Sequence, residues 1–408
     1  MRTVILFSLG RRCWLLLALL FLSLAARGEE LCVQFDTQHQ VAGVLELPAY
    51  ATDTVAMILP GIHTQDRNGP LESFVPGEGV YTTMAKLLRA QGLAVVRLDT
   101  PMTVEAGASN GCTSALSRDQ DPEVLQASYR AVAEYLRQMD HGRRFRNVLF
   151  VGHSLGAVLG AQILAQSPHL ADGFYMVSMS LRPLTEMAHY QGHNLPLLTL
   201  RSLMENGPNS CISNEEIVAA RTVLEPVLWP IDRWLSPSGR WCKNTLTELR
   251  ARLSLLADQG EQLARECDAA GTEDHVGEFG NNCRELQLFF SATSIAQLLR
   301  TYPGQVGIAY GKRDGLIALG PEGDAFRSFA LALPQRRRIR VLDMGHNFGE
   351  HPYLGPAKES AMQAFVSFIA ETIPRYVSID ERVTPRAEAH GTIAGRRVQR
   401  KEEGRRQY

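Results

Sequence analysis

Residues 147–156 read Asn-Val-Leu-Phe-Val-Gly-His-Ser-Leu-Gly, and the order of their chemistry decides the fold. Asn147 to Val151 is an apolar, β-favouring run. Ala157 to Gln166 reads as a helix, and Gly152-His153-Ser154-Leu155-Gly156 lies between the two. Gly-x-Ser-x-Gly alone is a common pentapeptide. Strand, pentapeptide and helix in that order make it a nucleophile elbow. The turn is sharp, so the positions two before and two after the serine must lack bulk, and Gly152 and Gly156 meet that need. Ser154 then stands exposed at the carboxyl edge of a sheet. The N-terminus of the following helix favours negative charge developing there.

A serine hydroxyl is a poor nucleophile at neutral pH. It needs a histidine base, and the base needs an acid that fixes its tautomer. On a strand–elbow–helix scaffold the acid and then the histidine follow the serine in the chain. Gln305 to Tyr310 reads as a strand ending in Gly-Lys-Arg-Asp-Gly, which makes Asp314 the candidate acid. Arg338 to Leu342 reads as the next strand, and Asp-Met-Gly-His-Asn-Phe after it makes His346 the candidate base. Glu205 is the rival acid, because Leu197 to Leu200 also looks strand-like, but no strand–loop–histidine spacing follows it. His351 is the rival base and lies further from the strand end, before a proline. His153, inside the elbow, is expected to pack beneath the serine. An oxyanion hole needs two backbone N–H donors. Leu155 supplies one candidate. Ile62 supplies the other, from the Pro60-Gly61 turn after the strand Thr54 to Leu59.

Strands and helices alternate around these residues. Leu31 to Leu47 suggests an opening hairpin, and a helix near Thr82 to Ala90 precedes a strand from Leu93 to Leu98. Asp121 to Met139 is periodic and begins with Asp-Pro, a good helix start. Gly173 to Met179 is a further strand. The expected fold is α/β, a mostly parallel sheet with helices on both faces. Residues 182–300 break the rhythm. Ser213-x-x-Glu216 and Thr245-x-x-Glu248 are capping-box patterns. Leu246, Leu249, Leu253, Leu256 and Leu263 recur at helical spacing, and a further helix is expected over Arg284 to Leu299. This helical insertion is read as a lid. It holds Trp229, Trp234 and Trp241, expected to pack it against the core, with an aromatic wall for an apolar substrate as the other reading.

The chain has 408 residues and a net charge of −1, so it carries no global basic field and nucleic acid is not an expected partner. Arg2, Arg11 and Arg12 precede a 14-residue apolar run, Cys13 to Ala26, with small residues after it. That is the pattern of a secretory signal peptide over 1–28, and the run falls short of the ~20 apolar residues of a spanning helix. Membrane association is expected only if this segment is retained. Removing it leaves Cys32, Cys112, Cys211, Cys242, Cys267 and Cys283. An even number suits three disulfides in an oxidising compartment, secreted or periplasmic, with the pairing left open. No Cys-x-x-Cys spacing occurs, and neither metal nor cofactor is expected. Residues 375–408 carry a net charge of +4 without apolar periodicity and read as a disordered tail.

Leu59-Pro60-Gly61-Ile62, Val95 to Asp99, Gly152 to Gly156, Gly311 to Asp314 and Gly345-His346 together resemble the α/β-hydrolase superfamily. The match runs from about Val41 to Ile373, interrupted by the insertion, so the core would comprise 29–181 and 301–374. Gln65-Asp66-Arg67-Asn68-Gly69 also resembles a segment after the oxyanion loop in some members, whereas Pro60 stands where many have histidine. The resemblance implies Ser154 as nucleophile, His346 as base and Asp314 as acid. The expected activity is hydrolysis of a small-molecule ester or acyl substrate. A peptidase, an acyltransferase and a non-catalytic binding module are the alternatives. For an aminopeptidase, Glu215, Glu216 and Glu225 would have to hold the free amine.

Overall fold

The computed structural model describes residues 28–50, 52–61, 67–69, 79–104, 112, 115–118, 121–138, 145–205, 210–219, 234–270, 283–317, 319–350 and 357–373. The leader up to Arg27, Ile62, Glu225, Trp229, His351 and the tail from Pro374 lie outside them.

The expected opening hairpin is β1 (Glu29–Gln34) and β2 (His39–Glu46), paired antiparallel. Asp36 closes it by accepting from the backbone N–H groups of Gln38 and His39. The chain continues through β3 (Thr54–Leu59), α1 (Val80–Ala90), β4 (Ala94–Leu98), β5 (Met102–Val104), β6 (Ala115–Arg118), α2 (Pro122–Gln138), β7 (Asn147–His153), α3 (Leu155–Gln166) and β8 (Gly173–Val177). Then come α4 (Leu184–Glu205), β9 (Cys211–Ser213), α5 (Asn214–Ala219), β10 (Arg240–Cys242), α6 (Leu246–Ala270), α7 (Cys283–Phe289) and α8 (Ile295–Leu298). The last elements are β11 (Gln305–Gly311), α9 (Leu319–Ala332), β12 (Arg337–Leu342) and α10 (Glu359–Thr372).

The sheet runs β12-β11-β8-β7-β3-β4-β2-β5-β6, with β1 on β2. From β12 to β4 every pairing is parallel, and the β2, β5 and β6 side is antiparallel. Strands covered on both faces must be apolar on both. Hence Thr-Val-Ala-Met-Ile-Leu of β3 and Gly-Phe-Tyr-Met-Val of β8 are buried at every position. One face carries α1 and α10, through Tyr81, Met84, Leu88, Phe365 and Ile369. The other carries α2 and α3, through Tyr129, Val132, Leu136, Val158 and Ile163. Fully burying one such side chain contributes ~1.5–3 kcal/mol. The helices after β3 and β7 thus lie on opposite faces, and β3 and β7 are neighbours. Their carboxyl ends form a topological switch point, where an open parallel sheet leaves a crevice.

The stretch between β8 and β11 corrects four expectations. Leu197 to Leu200 is not a strand; it lies inside the 22-residue α4, since a short apolar run fits either element. The helix expected over Arg284 to Leu299 breaks at Phe290, and Ser294 starts the separate α8 by exchanging capping bonds with Gln297. Thr245 accepts from the backbone N–H of Cys242 instead of capping towards Glu248. The Ser213–Glu216 capping box forms as expected. Trp234 and Trp241 pack neither on the sheet nor on a substrate wall. They join Leu200, Ile217, Leu249 and Leu253 in a core of the insertion's own, and the Trp241 indole donates to the Trp234 carbonyl. Six cysteines pair as Cys32–Cys112, Cys211–Cys242 and Cys267–Cys283.

Candidate active site

Ser154 sits between β7 and α3 with φ 51° and ψ −121°, a conformation a non-glycine residue holds only under strain. The surroundings enforce it. A methyl group on Gly156 would overlap the Leu59 and Pro60 carbonyls, and one on Gly152 would fall 2.7 Å from the Ala157 Cα. The backbone N–H of Ser154 donates to the Val177 carbonyl of β8 at 3.1 Å. The hydroxyl is thereby held at the carboxyl edge of the sheet, beside the β3–β7 switch point. Leu155 is the first residue of α3, so its N–H is among the unpaired donors of a helix start.

Asp314 and His346 reach the same edge from the ends of β11 and β12. Both are buried. The Nδ1 of His346 lies 3.1 Å from each carboxylate oxygen of Asp314, and its Nε2 lies 3.1 Å from Ser154 Oγ. An ionised carboxylate only accepts, so Nδ1 carries the proton. The neutral ring then leaves Nε2 to accept from the serine hydroxyl. The Leu316 N–H donates to Asp314 Oδ1 at 2.9 Å, which fixes the acid in turn. Outside the buried pair, Arg313 clamps both oxygens of Asp343 at 3.0 Å and so ties the acid loop to the base loop. The three residues singled out in the sequence therefore form one hydrogen-bonded chain. Glu205, the rival acid, ends α4 in the insertion.

Three contributors carry no motif. Ser178, itself at φ 57°, donates its hydroxyl to the His346 carbonyl at 2.6 Å. Phe348, at φ 63°, packs between His153 and Phe365 and turns the histidine loop back. Tyr81 of α1 lies 2.9 Å from His153 Nδ1 and accepts the Gly61 N–H at 2.8 Å. His153 is buried between Tyr81 and the His346 carbonyl, where burial, and then the neighbouring His346, push its pKa down to about 3. From the insertion, Tyr190 on α4 is half-buried. Burial and then the Asp314 charge hold its phenol above the ordinary range.

Of the Gln65–Gly69 segment, Arg67 to Gly69 are described, and Arg67 is an anchor. Arg67 reaches Asp99 at 2.8 Å, Glu30 at 2.7 Å and the Gly43 carbonyl at 3.1 Å, which pins the chain that follows β3 to the end of β4. Among the described residues no group of three or more His, Cys, Asp or Glu is placed to hold a metal ion. No helix among them is long and apolar enough to cross a membrane.

A model of the alpha/beta hydrolase family matches residues 74–363 of the chain. No curated protein matches it. Among solved structures, Est1E from Butyrivibrio proteoclasticus is similar at 13% identity and a TM-score of 0.44, over 85% of this chain and 99% of that one. An esterase of Pyrococcus furiosus is similar at 11% identity and a TM-score of 0.47, over 87% and 92%. A proline iminopeptidase-related protein of Thermus thermophilus is similar at 18% identity and a TM-score of 0.43, over 85% and 99%.

Proposed function

Because the chain belongs to the alpha/beta hydrolase family, we propose that it is a serine hydrolase that cleaves carboxylic esters of small molecules through an acyl-enzyme. The observation that carries this reading is the buried chain from Asp314 through His346 to Ser154, with 3.1 Å at each link. Ser154 Oγ attacks the ester carbonyl and forms the C–O bond while Nε2 of His346 takes its proton. Asp314 keeps the ring oriented and stabilises the imidazolium. The N–H of Leu155 and that of Ile62 hold the oxyanion. The imidazolium then protonates the departing alcohol. Water, deprotonated by the same nitrogen, releases the acid and restores the serine. No step draws on a metal or a cofactor.

Residues 182–300 act as the lid over a core made of 29–181 and 301–374. Support comes from Tyr190 on α4, which feels the Asp314 charge. Export by the 1–28 leader to an oxidising, secreted or periplasmic location fits the three disulfides.

Turnover of p-nitrophenyl acetate and butyrate by the oxidised mature protein tests the reading, with the matching p-nitroanilide alongside. Ester turnover that falls by about a thousand-fold or more in Ser154→Ala is expected. Cleavage of the anilide in preference to the ester would make the enzyme an amidase. Turnover untouched by Ser154→Ala would remove the proposal.

A further inference from the structure

Next to Ser154 in the chain, His153 and its partner Tyr81 join arms of the site that the reaction needs in register. Tyr81 and His153 are both buried, from α1 and from the elbow. Their hydrogen bonds have one consistent direction. His153 Nε2 faces the His346 carbonyl at 3.2 Å, and a carbonyl only accepts, so Nε2 carries the ring proton. The neutral ring then offers a lone pair at Nδ1, and the Tyr81 hydroxyl donates to it at 2.9 Å. The tyrosine oxygen in turn accepts the Gly61 N–H at 2.8 Å. The same His346 carbonyl takes the Ser178 hydroxyl at 2.6 Å. Reversing any one of these bonds leaves a buried donor or acceptor unmet, at ~1–3 kcal/mol.

We propose that Tyr81 and His153 are positioning residues, a one-way relay that sets the Gly61 backbone after β3 and the backbone of the base loop in one frame with the nucleophile. This rests on the hydrolase reading above. Neither side chain is placed in the reaction itself. The relay fixes Gly61, which precedes the proposed donor at Ile62, and the peptide of His346, whose ring moves with it. Oxyanion contacts and proton transfer both act in the transition state, so loosening the frame lowers kcat and leaves KM unmoved. The depressed basicity of His153 keeps the relay in one tautomer across the physiological range.

The test is kinetics of wild type, Tyr81→Phe, His153→Leu, His153→Gln and the Tyr81→Phe/His153→Leu double variant, per active site titrated with a fluorophosphonate. Tyr81→Phe should lower kcat about 10-fold at unchanged KM. His153→Gln, whose amide still donates to the His346 carbonyl, should retain more activity than His153→Leu. The double variant should lose no more than the worse single variant, as members of one relay do. Nitrogen NMR of the imidazole should show His153 protonated at Nε2 and not titrating between about pH 5 and 8. A kcat unchanged in Tyr81→Phe, additive losses, or a proton on Nδ1 would overturn the relay while the hydrolase stands. Wild-type protein without Ser154-dependent turnover would overturn both.

Discussion

Replacing His153 with glutamine should flatten the acid side of the protein's stability curve. In the folded state burial, and then His346, hold the ring at a pKa of about 3, against an ordinary value of 6.5. Between those values the unfolded chain binds a proton that the folded chain refuses. The contribution of His153 is therefore neutral above the unfolded pKa. It becomes destabilising as pH falls through that pKa, and it levels off only near the folded one. The limiting slope is about 1.4 kcal/mol per pH unit. Between about pH 7 and pH 5 this one ring should cost about 2 kcal/mol, a large part of an ordinary domain's stability. Urea unfolding of the oxidised protein at the two pH values, followed by far-ultraviolet circular dichroism, measures it. Wild type should lose about 2 kcal/mol more than His153→Gln over that interval. Equal losses would mean that His153 titrates normally in the folded protein, and the buried, neutral ring would be refuted.

Gly156→Ala should cost about 3 kcal/mol, because the added methyl meets the backbone carbonyls of Leu59 and Pro60, which cannot yield as a side chain would; thermal melts read this directly. Replacing Cys32 and Cys112 by serine frees a loop of sequence separation 80, and chain entropy puts the loss at about 4.5 kcal/mol in urea titrations. Asp314→Asn should keep the fold and lower kcat by about a thousand-fold or more, since the amide can donate to Nδ1 and reverse the tautomer of His346.

The sheet core and the three-residue chain were legible because both depend on local signals. Parallel strands buried on two faces read as unbroken apolar runs, as in β3 and β8. Ser154 follows such a run directly, Asp314 lies three residues past β11, and His346 lies four past the edge strand β12, whose Arg-Ile-Arg-Val-Leu alternation was still readable. The short antiparallel strands β5 and β6 were missed because three or four residues carry no readable period, and the break at Phe290 to Ser294 because capping chemistry decided it over a few residues. Leucines 197 to 200 misled for the opposite reason, because four apolar residues do not distinguish a strand from a helix. Tyr81, Ser178 and Phe348 were not readable at all. Tyr81 meets His153 across 72 residues and Ser178 meets His346 across 168, so their roles exist only once the sheet has assembled. The arginine in Asp-Arg-Asn-Gly was visible as a pattern, but its partner Asp99 was not.

Ser154 is proposed as a nucleophile primed by His346 and Asp314. Mass-spectrometric mapping of a fluorophosphonate adduct on the folded, oxidised protein tests it most directly, beside urea-unfolded protein and the His346→Ala and Asp314→Asn variants. One adduct is expected, on the peptide carrying Ser154, formed in the folded wild type, lost on unfolding and in His346→Ala, and much slowed in Asp314→Asn. An adduct on another residue, or equal labelling of wild type and His346→Ala, would contradict it.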